Sequence, residues 1–108
     1  MYIEFMSYKL RLDAKRIVEL EKKLGGSPLS AFMKDGQVTS PTLQNLLLIL
    51  HIALLPFQSG IKEEDMFEIY DKWVESGKTY SDLVIVVTDL YRECGLIPKE
   101  DSVVDSKN

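Results

Sequence analysis

The sequence predicts a mainly α (α+β) domain, with a short N-terminal β-hairpin followed by about five helices packed around a central apolar helix. Three observations predict it. Residues 41–57, PTLQNLLLILHIALLPF, contain one histidine and no charge, as expected of a helix buried on most of its sides. Residues 2–12, YIEFMSYKLRL, alternate with the period of a strand. The remainder of the chain carries repeated helix start and stop signals. The apolar run is several residues short of the about 20 needed to span a membrane, and it ends at Pro56. Protein must therefore bury it, with any face left over available to a partner.

In the first segment, Tyr8, Leu10 and Leu12 fall on one side and Lys9 and Arg11 on the other. Residues 2–5 are placed to pair with them through a tight turn at Met6 and Ser7, although that turn lacks an Asn-Gly or Asp-Gly pair. A lone hairpin is marginal in water, so this one is expected to pack on the helices or to extend a sheet from another subunit. Asp13 is the expected cap of a helix over residues 14–24, with Ala14, Ile17, Leu20 and Leu24 in one stripe and Glu19 placed to pair with Lys23. Gly25 and Gly26 stop it.

Ser27 and Pro28 then start a short helix over residues 29–33, whose Leu29, Phe32 and Met33 are expected to cover the core. A polar loop over residues 34–39 follows. Ser40 and Pro41 repeat the start signal before the apolar helix, which is expected to run to about residue 55. The fourth helix, residues 63–76, carries acidic residues in its first turn, where the helix dipole favours them. Its apolar stripe is Met66, Ile69, Tyr70, Trp73 and Val74, and Gly77 ends it. Thr79 and Asp82 match a capping box for the fifth helix, residues 80–94. Its LVIVV run is β-branched, but Leu83, Val86, Val87, Leu90 and Cys94 recur at helical spacing.

The 108 residues fit a single globular domain over residues 1–98, with 2–12 as hairpin and 13–98 helical. A chain of this size buries roughly 60–70% of its unfolded surface. Residues 99–108 lack a core pattern and read as a disordered tail. Hydrophobic content of 45% and charged content of 28% are ordinary for a soluble domain, and without a signal-peptide pattern the expected location is cytoplasmic. The single cysteine excludes an intramolecular disulfide, and Cys94 with His51 cannot assemble a zinc site, so neither metal nor cofactor is expected.

The net charge of −4 is unevenly spread. Residues 1–35 hold seven Lys/Arg against five Asp/Glu, and residues 36–108 hold six against twelve. Such a split favours head-to-tail association of subunits, within the limits of screening over about 8 Å. An acidic chain with no clustered basic face is a poor fit to nucleic acid. The helix that would enter a DNA groove, residues 42–55, contains no Arg or Lys.

Among chemistry-bearing residues, His51 has Leu47, Leu48, Leu54 and Leu55 at helical spacing and no nearby nucleophile or acid, which suits a structural or interface role. Cys94, at a helix C-terminus beside Glu93, is in a setting that disfavours thiolate. Glu63, Glu64, Asp65, Glu68 and Asp71 lack the ligand spacing of an EF-hand and read as a solvated face, as do Lys15, Arg16, Lys22 and Lys23. Nothing points to an enzyme. The amphipathic Tyr70, Trp73 and Tyr91 suit either core or interface, and together with Leu54 and Phe57 they are the candidate residues for partner binding or self-association.

The segments LRLDAKRIVELEKKLGGSPLSAF, PTLQNLLLILHIALLPFQSGI and DMFEIYDKWVESGKTYSDLVIVVTDLYRECGLIP, in that order, resemble the tail assembly chaperones of long-tailed, non-contractile (siphophage-type) bacteriophages. The resemblance covers residues 9–98 and rests on the order and texture of the segments, since the family has no short functional motif to transfer. It implies a small helical, self-associating protein in the host cell cytoplasm, absent from the finished virion. Its implied partner is the tape-measure protein, which it keeps soluble until tail-tube subunits replace it. In many members of the family a ribosomal frameshift near the end of the reading frame makes a longer product, and Ser106, Lys107 and Asn108 are compatible with a slippery adenine run. The contrasting expectation, drawn from the apolar helix alone, is a small regulatory or adaptor protein that holds one folded partner.

Overall fold

The computed structural model describes residues 2–99. Residues 100–108 of the expected disordered tail lie outside the described residues. Strands β1 (Ile3–Phe5) and β2 (Tyr8–Leu10) form the expected antiparallel hairpin, pairing Ile3 with Leu10, Glu4 with Lys9 and Phe5 with Tyr8. Ile3, Phe5, Tyr8 and Leu10 therefore share the inner face, while Glu4 and Lys9 oppose each other on the outer one. Met6 takes a left-handed φ of 57° at the turn, a position usually held by glycine. Beyond β2, the Arg11 amide donates to the Ala53 carbonyl at 3.0 Å, which fastens the hairpin to the central helix.

Helix α1 (Ala14–Leu24) begins where Asp13 accepts a hydrogen bond from the Arg16 amide at 3.0 Å, and ends at Gly25, whose φ of 77° few other residues tolerate. The expected pairing of Glu19 with Lys23 is not formed. Glu19 meets Arg16 at 2.9 Å, one turn earlier, and Lys23 reaches Glu63 across the fold at 3.7 Å.

Pro28–Phe32 forms a 3₁₀ turn where a short second helix was expected, so the described residues contain four α-helices and not five. The physical reason is length: Ser27 and Pro28 start the turn, but only five residues intervene before Met33 goes extended. The polar loop expected next is instead a second hairpin, β3 (Met33–Lys34) with β4 (Gln37–Val38). Asp35 and Gly36, with φ of 52° and 80°, both sit in the left-handed region that a type I′ turn requires.

Helix α2 (Leu43–Leu54) is the predicted apolar helix, starting two residues later than Ser40 and Pro41 suggest. Thr42 is its true cap, accepting from the Asn45 amide at 3.1 Å, and Pro41 is buried just ahead of it. Leu46, Leu47 and every residue from 49 to 54 are buried, which places α2 at the centre. Helices α3 (Asp65–Glu75) and α4 (Tyr80–Glu93) pack against it, the latter opened by the predicted Thr79–Asp82 capping box. One continuous core joins Phe5 and Leu10 of the first hairpin to residues of all four helices. Among the described residues, no helix is long and apolar enough to cross a membrane.

Candidate functional site

The five residues expected to serve partner binding or self-association do not converge. Leu54 is fully buried, because α2 is covered on that side by its neighbours, so of the apolar surface expected around Leu54 and Phe57 only the part at Phe57, beside the exposed Tyr2, is open. Trp73 and Tyr91 are core residues that satisfy their polar tips internally. The Trp73 indole Nε1 donates to the Thr79 carbonyl at 2.9 Å, and the Tyr91 hydroxyl donates to the Pro28 carbonyl at 2.9 Å. Burial pushes the Tyr91 phenol well above its ordinary value. Tyr70 is half-buried. Phe57 is 40% exposed, meets the Tyr2 ring edge-on at 6.0 Å, and has Lys9 Nζ 5.9 Å from its centroid.

His51 is a structural residue. Its Nε2 bonds the Ile61 carbonyl at 2.7 Å, tying α2 to the loop before α3, and Nδ1 is buried without a partner among the described residues. Cys94 is half-buried, and its thiol is pushed above its ordinary value, first by burial and further by Glu93. Among the described residues, no group of three or more His, Cys, Asp or Glu is placed to hold a metal ion.

The surface feature suited to binding lies elsewhere, between the N-terminal halves of α2 and α3. There an open groove of about 570 Å³ is floored by Leu47, Leu48 and Met66, with Phe67 on its α3 side. Its polar margin is Gln44 and Asn45 on α2, and Glu63 and Glu64 before α3, with Lys23 closing one end through its contact with Glu63. Phe67 is 64% exposed, more than any other aromatic residue exposed in the fold. Helical spacing continues the same stripe along α3 through Tyr70 to Val74, which is 46% exposed.

The match to the family of unknown function DUF6096 extends over residues 2–108. The chain belongs to DUF6096. Neither a curated protein nor a solved structure matches it. In this DUF6096 chain the sequence pattern located Met66 and Val74 on the apolar side of α3 but passed over Phe67, Leu47 and Leu48 as site residues. A signal for Phe67 was present: the apolar arc of α3 is wider than the face that Met66, Ile69 and Trp73 bury.

Proposed function

We propose that this DUF6096 chain is a non-enzymatic tail assembly chaperone of siphophage type. It binds and solubilises the tape-measure protein in the host cell cytoplasm, helps recruit tail-tube subunits, acts as a homo-oligomer, and is not retained in the virion. The observation that carries this reading is the groove between α2 and α3, which has an apolar floor and a polar margin. A cleft between two helices is a suitable seat for a helical segment of a partner. Repeated weak seats of this kind, on several subunits, hold a long helical chain through multivalency. The order of sequence segments points to the same family of chaperones.

Co-expression tests it. The tagged chain is produced with the tape-measure protein of the same genome, and the soluble, co-purifying fraction of that partner is measured. The expected result is retention by the wild type and a loss of most of the bound partner with Phe67→Ser, an exposed position whose replacement leaves the core untouched. A tape-measure protein that stays insoluble and unbound beside the wild-type chain overturns the reading. Stoichiometric binding to one folded host protein then favours the adaptor alternative.

A further inference from the structure

The exposed stripe on α3 has a charged border of one sign. Asp71 lies one turn from both Phe67 and Val74, Glu64 lies one turn before Phe67, and Glu68 and Glu75 extend the row on the side away from the core. All four carboxylates are exposed, and none forms an ion pair among the described residues, in contrast to Glu63 beside Lys23. Lys72 is the single basic residue on α3, and helical geometry puts it beyond this row, next to Glu68 and Glu75. An incoming helix seated on Phe67 and Val74 would therefore rest its flank against Glu64 and Asp71.

We infer that the groove and the α3 stripe together dock an amphipathic helix that carries a row of Lys or Arg beside its apolar face. The inference rests on the reading of the groove as the partner-binding site and adds the chemistry of the partner. An acidic flank would set like charges against Glu64 and Asp71, whereas a basic flank is attracted, steered and fixed in register by them. Covering Phe67 and Val74 supplies the apolar contact, and the carboxylate row selects which helix makes it.

The test is a displayed library of amphipathic helices about five turns long, with apolar residue types varied along the stripe and charge sign varied on both flanks. It is sorted against the full wild-type chain and against the double variant Glu64→Lys/Asp71→Lys. Helices retained by the wild type are expected to carry Lys or Arg on one flank and to bind about tenfold more weakly to Phe67→Ser. Helices retained by the double variant are expected to carry Asp or Glu there. No retained helix, the same flank charge with both targets, or binding indifferent to Phe67→Ser overturns the inference. So does a wild-type chain that self-associates in sedimentation and becomes monomeric on Glu64→Lys/Asp71→Lys, because a second copy then occupies this face.

The fate of the functional reading is separable. If the double variant still keeps the tape-measure protein soluble and the library fails, the chaperone stands without this surface. If the library behaves as expected while the wild type leaves the tape-measure protein insoluble, the surface stands without that function.

Discussion

Tyr91, Trp73 and His51 each bond a backbone carbonyl outside their own helix: Tyr91 at the 3₁₀ turn, Trp73 at the Thr79 cap of α4, and His51 in the loop before α3. The Tyr91 bond joins residues separated by 63 positions, from α4 back to the 3₁₀ turn. Tyr91→Phe keeps the ring packing and removes only the hydroxyl, so the expected loss is about 1 kcal/mol, measured by urea denaturation. Tyr91→Ala also empties part of the core and is expected to cost about 3–5 kcal/mol. The sequence left Tyr91 balanced between core and interface for a physical reason. An aromatic ring with a polar tip suits both settings, and the Pro28 carbonyl that settles the matter is remote in sequence. His51 was easier to read, because its leucine neighbours at helical spacing already implied burial.

The elements whose boundaries were legible are those with local chemistry at their ends. Asp13 with Gly25 bounds α1 as expected, and Thr79 with Asp82 starts α4 at the expected residue. In that capping box, the Thr79 amide donates to the Asp82 carboxylate at 2.9 Å, and the Asp82 amide to the Thr79 hydroxyl at 3.1 Å. The Thr79 backbone bond, and after it the Thr79 side chain, hold the Asp82 carboxyl below its ordinary 3.8. A carboxyl depressed in the folded state stabilises the fold above the unfolded-state value, and that contribution is lost as pH falls through the lower, folded value. Thermal melts from neutral pH to below 4 are therefore expected to show a smaller acid-induced loss for Asp82→Asn than for the wild type. Where length decides, the sequence was less informative. The five residues after Ser27 carry the start signal of a helix and make only a 3₁₀ turn. The Asp35-Gly36 pair was a valid hairpin signal, obscured because each flanking strand is two residues long and wholly exposed, with no alternation to detect.

All four helices and the first hairpin share one core, so they are expected to lose their packing together. Trp73, buried against Phe5 with ring centroids 5.0 Å apart, is a single fluorescent reporter of that core. Its emission and the far-UV helical signal are expected to change in coincident denaturation curves, as for a two-state domain. Separate midpoints would show that part of the helical structure outlives the core. The same contact sets the order in which the protein can be completed. Phe5 leaves the ribosome 68 residues ahead of the indole it packs on, and at about 5–20 residues per second that interval is on the order of 3–14 s. For most of it the nascent hairpin lacks α2, and throughout it lacks a complete α3, to cover its inner face, so the fold closes from later-made helices back onto a strand made before them.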